Sequence, residues 1–228
     1  MNRSKVNIFK NLLLGTFFAA TFAASAETAH AYLSFNPGNT FSGNAPAGFL
    51  TADFTDVAGG VQLVITSNLA SGENLDAGKS LYFNFNPSKD PILNNLSFAL
   101  TGNTSYSQQA IVLTGADSFK ADGDGYYDIN FSFSPSSKAF TTGESQTYTI
   151  TTASGTISAS DFTNYLSSPG VGNGSWLAAA HVQNTPAGGS GSAWVVGTVT
   201  STPIPAAAWL LGSGLIGLAG ISRGLKQF

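Results

Sequence analysis

The stretch Asp122-Gly123-Asp124-Gly125-Tyr126-Tyr127-Asp128 holds the densest potential for chemistry in this chain. Calcium takes about six to eight oxygen ligands, and closely spaced carboxylates in a glycine-kinked loop supply several of them. Asp122, Asp124 and Asp128 are therefore the candidate metal ligands, and calcium is the candidate cofactor. Laid on an EF-hand-type loop, the stretch would open on Lys120 and close on Phe131, so the first carboxylate and the bidentate glutamate are missing. Asp117 lies close enough to fold in. The same residues also make an Asp-Gly turn leading into a strand at 127–133.

Other reactive types are sparse. His181 sits in an apolar run, Leu177 to Val182, beside Gln183. A histidine acts as a general base only with partners around it, and no triad spacing is visible, so no catalytic residues are assigned. Cysteine is absent, which removes thiol catalysis and thiolate metal sites. Carboxylate pairs of the glycosidase kind stay open among the acidic residues, since that chemistry needs only two carboxylates at a set separation. Tyr126, Trp176 and Trp194 have the ring types that stack on sugars, and the same rings suit the core of a phenylalanine-rich domain.

The elements that must position these residues read as strands. Leu50, Ala52 and Phe54 alternate with polar neighbours, as do Leu81, Phe83 and Phe85 with Tyr82, Asn84 and Asn86. Further strands are expected at 61–66, 93–100, 110–114, 127–133, 147–151, 177–183 and 193–199, with Ile129, Phe131 and Phe133 sharing a face. Residues 36–48 read as a Pro/Gly/Asn-rich loop. The one helical stretch is 158–166, where Ser158 and Asp161 have capping-box-like spacing. About ten strands with almost no helix predict an all-β fold, a β-sandwich or jelly roll.

Composition agrees. Charged residues are only 9% of the chain, against 43% hydrophobic and 17 phenylalanines, so a folded, loop-rich β domain is expected. Residues 32–202 carry four lysines (79, 89, 120 and 138) and eleven acidic residues, hence a net charge of −7. So acidic a body is repelled by phosphate backbones, which excludes nucleic acid as a partner.

Both ends carry addressing features. Arg3, Lys5 and Lys10 precede an apolar run, Leu12 to Ala24, and then two small-x-small sites, Ala24-Ser25-Ala26 and Ala29-His30-Ala31. The second site fits a strand beginning at Tyr32, so 1–31 is read as a signal peptide with an N-terminal helix, for a signal peptidase to remove. At the other end, Ile204 to Ile221 spans about 27 Å as a helix, just enough for a bilayer core of about 30 Å. Arg223 and Lys226 follow it and place that end on the cytoplasmic side. The expected domains are 1–31, a β domain at 32–200, and a C-terminal signal with a single transmembrane helix at 201–228.

The tail motif Thr202-Pro203-Ile204-Pro205-Ala206, continuing as Ala207-Ala208-Trp209-Leu210, resembles the Val-Pro-Leu-Pro-Ala variant of the PEP-CTERM class of sorting signals. It departs from that pattern at Thr202 and Ile204, and Arg223 and Lys226 replace a basic cluster. The resemblance implies a Gram-negative bacterial export whose tail is recognised and cleaved by an exosortase-type membrane protease. It also implies a link to exopolysaccharide and biofilm. Four stretches of the body, 55–61, 82–86, 119–125 and 179–183, resemble a domain found ahead of such tails, which brings no activity with it. The expectation is a secreted, non-enzymatic cell-surface or matrix protein. The alternatives are a calcium-dependent carbohydrate-binding or adhesive module and a polysaccharide-active enzyme.

Overall fold

The computed structural model describes residues 30–103, 109–122, 125–134, 139–168, 175–186 and 191–199. They contain twelve strands: β1 (His30–Phe35), β2 (Thr40–Gly43), β3 (Phe49–Val57), β4 (Gly60–Asn68), β5 (Asn74–Leu75), β6 (Leu81–Phe83), β7 (Leu96–Asn103), β8 (Ile111–Lys120), β9 (Tyr126–Ser132), β10 (Ser145–Thr152), β11 (Ala178–Thr185) and β12 (Gly191–Val199). Among the described residues, helix is confined to single turns, α1 (Asp90–Leu93) and α2 (Ser160–Thr163), and 3-10 turns at Pro37–Asn39 and Pro87–Lys89.

The strands follow from alternation. In β4, Val61, Leu63 and Ile65 are buried while Gln62, Val64 and Thr66 are half-buried. In β10, Gln146, Tyr148 and Ile150 point inward. All pairings between these strands are antiparallel, in the order β7-β10-β4-β3-β1-β12-β11-β6-β9-β8, with β2 added beside β12 and β5 beside β11.

The sheet does not stay open. Phe131 on β9, near one end of that order, meets Tyr148 on β10 at 5.1 Å between ring centroids and Phe98 on β7 at 5.5 Å, near the other end. These contacts require the sheet to curl over into a nearly barrel-shaped body around one core. Phe83 sits in its middle, edge-on to Phe54 at 5.2 Å, Phe131 at 5.7 Å and Phe35 at 6.5 Å. Ile129, Phe131 and Phe133 do share the core-facing side.

Some expectations are corrected. The strand at 93–100 starts later, at Leu96, because Asp90-Pro91 opens a helical turn that proline's fixed φ favours. The loop at 36–48 contains β2. Asn84 and Asn86 are buried instead of facing water. The Asn84 amide donates to the carbonyls of Trp176 (2.8 Å) and Leu177 (2.9 Å), and that of Asn86 to Asp161 (2.8 Å). The helix at 158–166 shrinks to α2, although Asp161 does reach back to the Ser158 N–H at 2.8 Å as the spacing predicts. Strand β1 begins at His30, two residues before Tyr32. Among the described residues no helix is long and apolar enough to cross a membrane. The expected signal helix and tail helix lie outside the described residues, apart from His30 and Ala31.

One buried carboxylate ties the loops at one end of the body. Glu73 accepts from the N–H groups of Ala47 (2.6 Å), Ala70 (2.8 Å) and Gly48 (3.1 Å). Gly48 packs so tightly there that a Cβ would lie 2.3 Å from Ala70 N. Hydrogen bonds to charged groups each contribute about 1.5–3 kcal/mol, and orphaned buried donors add to the loss. Glu73→Ala is therefore expected to lower unfolding free energy by about 3–5 kcal/mol, read from urea denaturation. A loss below about 1 kcal/mol would show that water replaces the carboxylate.

Candidate functional site

Strands β11 and β12 pair with His181 opposite Trp194, which puts both rings on the outer face of the sheet. They stack with centroids 4.5 Å apart and planes 8° from parallel. Alternation places Gln183 on that face too. Asp76, directly after β5, is brought beside them because its N–H donates to the His181 carbonyl at 2.9 Å. Its Oδ2 lies 2.8 Å from His181 Nδ1, and its Oδ1 accepts from Gln183 Nε2 at 2.5 Å. A carboxylate on Nδ1 holds a neutral imidazole with its proton there and leaves Nε2 as the acceptor.

Around this group opens a cavity of about 590 Å³, lined by Ser42, Asp76, Lys79, Asp122, His181 and Trp194 among others. Asp122 reaches it from the β8–β9 turn and accepts a short hydrogen bond from the Ser42 hydroxyl on β2. Asp122 has the left-handed φ of 37°, and Gly125, at φ 95°, has Ser168 O where a side chain would start. Beneath the cavity lies a second, outward aromatic cluster in which Trp194 packs on Tyr82 (5.4 Å) and Phe41 (6.4 Å), and Tyr82 on Tyr127 (5.6 Å). Burial, reinforced by the charge of Asp76, pushes the Tyr82 hydroxyl up to about 12, so it stays protonated at neutral pH.

Of the candidate calcium ligands, the described Asp122 and Asp128 have different partners. Asp124 lies outside the described residues. Asp128 is buried, and its oxygens accept from Phe85 N and Asp117 N, each at 2.8 Å. It thus occupies the place in the sheet where β6 ends and β8 bulges between Thr114 and Phe119. Asp122 is instead at the cavity. Among the described residues no three His, Asp or Glu side chains stand close enough to hold a metal. The three candidate aromatics are separated as well. Trp194 lines the cavity with one ring face covered by His181. Tyr126 is exposed, with Lys120 Nζ 5.8 Å from its ring centroid, and the half-buried Trp176 is not part of the cavity lining. Thr202, Pro203, Ile204, Pro205, Ala206, Trp209 and Arg223 lie outside the described residues.

No family model, curated protein or solved structure matches this chain. The site therefore has to be read from its own geometry. Asp76 and Lys79 are the residues that sequence reasoning missed. Asp76 is 105 residues from His181, and no spacing signal links them. The usable signal was weaker: His181 and Gln183 two apart on a strand share a face that needs a polar partner.

The acidic groups elsewhere give the fold a pH signature. Burial pushes the Asp128 carboxyl above its usual range, with Asp117 and Asp90 adding to the rise against its two backbone hydrogen bonds. Burial, then Asp117, raises Asp90 in the same direction. For Asp161, burial raises the carboxyl but Lys89 (2.7 Å), Asn86 and Ser158 outweigh it, and the net shift is downward. A raised carboxyl destabilises the fold above its folded pKa, so stability is expected to rise as pH falls from neutral through the titration of Asp128 and Asp90. A lowered one contributes above its unfolded value, near about pH 4, and loses that contribution as pH falls through its folded pKa. Thermal unfolding across pH 2–8, as about that range brackets the carboxylates, should show a mildly acidic optimum. Lys89→Met should flatten the acid limb, and an unchanged limb would remove Asp161 as its cause.

Proposed function

We propose that this chain is an exported bacterial cell-surface or matrix protein, delivered by its N-terminal signal, processed at an exosortase-type C-terminal signal, and associated with exopolysaccharide without catalysing a reaction. The two halves of the curled sheet serve as the layers of a sandwich. The observation that supports the reading best is the pairing of β1 with β12, Leu33 opposite Val199 and Ser34 opposite Thr198. The strands are antiparallel, so the start of β1 and the end of β12 lie at the same end of the body. Addressing segments attached at these two strand ends would act on one side of the domain.

The pairing of β1 supports a cut upstream of it. His30 and Ala31 pair with Thr55 and Phe54, Ala31 packs on the core, and His30 Nε2 lies 2.7 Å from Asp53 Oδ1. A cut after Ala31 removes these pairings, whereas a cut after Ala26 keeps them. Mass spectrometry of the exported protein is expected to find Glu27 as its first residue and to find residues beyond the Thr202–Ala206 motif absent. An intact tail on the extracellular protein would sink the processing proposal.

One observation favours the enzyme alternative: Asp76 and Asp122 line a single cavity. Both oxygens of Asp76 are already engaged by His181 and Gln183, which suits a fixed binding wall better than a nucleophile. Release of reducing ends from the organism's own exopolysaccharide, lost in Asp122→Asn, would reverse this choice.

A further inference from the structure

We infer that the cavity beside His181 and Trp194 is a binding site for a hydroxyl-rich ligand bearing a positive charge, the chemical class of an amino sugar. This deepens the exopolysaccharide reading by naming a site and a ligand chemistry, and it rests on that reading only for the polymer from which the sugar would come. The volume, about 590 Å³, falls within the range of small-molecule sites. His181 and Trp194, stacked on each other, line one side of it.

The remaining walls select the chemistry. An ionised carboxylate offers about four lone-pair sites. Asp76 uses one oxygen for His181 and the other for Gln183, and Asp122 uses Oδ2 for Ser42, so acceptor capacity remains on both. Hydroxyl and ammonium donors fill such capacity. An apolar ligand would strip water from the carboxylates and leave them unpaired, which is unfavourable. An anionic ligand meets two carboxylates against the single ammonium of Lys79, in a body of net charge −7. The Ser42–Asp122 hydrogen bond joins residues 80 apart at the exposed side of the cavity, so a ligand amine competes for Asp122 at that point.

The test is calorimetry on the full chain in detergent with three probes of one ring size: glucosamine, glucose and glucuronate. Glucosamine is expected to bind saturably and about tenfold more tightly than glucose, one charge-assisted contact being worth about that factor, and glucuronate not to bind. Asp122→Asn should remove most of the tenfold preference. Lys79→Met, which removes the opposing charge without touching Asp122, should enlarge it. No saturable binding by protein with an unchanged melting temperature overturns the inference. So does preference for glucuronate, or glucosamine binding that neither substitution alters. The tail is intact throughout, so these outcomes are independent of whether it is processed.

Discussion

The edge-to-face run of rings from Phe54 through Phe83 and Phe131 to Tyr148 is what makes this sheet a closed body. Aromatic pairs of this geometry add about 0.5–1.5 kcal/mol each beyond the area they bury. The larger effect is topological. Phe54 and Tyr148 come from one half of the strand order, and Phe83 and Phe131 from the other. Without their contact, neither half has a cover for its apolar face. Curling also fixes which face of β6, β11 and β12 looks outward, and the cavity is built on that face.

The outward face is unusual in being half a core itself. Tyr82, Tyr127, Ala179 and Trp194 are buried there beneath β2 and the β8–β9 turn. Those covering elements turn a flat sheet surface into a rimmed one. Charge is used with similar economy. With lysines few, carboxylates are satisfied mainly by backbone N–H groups: Glu73 by three, Asp128 by two, and Asp56 by Ala159 N at 2.6 Å. Lys89 with Asp161 is the one lysine–carboxylate ion pair among the described residues. Such carboxylates hold irregular chain in place.

How far the sequence reveals this depends on the range of the interaction. Alternation at Leu50–Phe54, Val61–Ile65 and Ile129–Phe133 gave strands that the structure contains, because a two-residue period is a local property. It also suggested that Tyr82 faced water. That inference failed because the cover over Tyr82 comes from β2 and from residues near 120, distant in sequence. Within the Asp122–Asp128 stretch, Asp122 lines the cavity and Asp128 accepts two backbone N–H groups in the sheet, and spacing alone does not reveal either placement. His181 was visible as a residue without a partner. Its partner, Asp76, is set by the pairing of β5 with β11, which only the fold supplies.

The last strand among the described residues is also a central one. β12 lies between β1 and β11, so it joins the half of the sheet holding β3, β4, β7 and β10 to the half holding β6, β8 and β9. A chain emerging from its N-terminus can form either half early, but each then presents a bare strand edge to its surroundings. Closure waits for residues 191–199, more than a hundred and fifty positions after β1, and contacts of that separation form slowly. Closure of the sheet is thus a late event that depends on its last described strand.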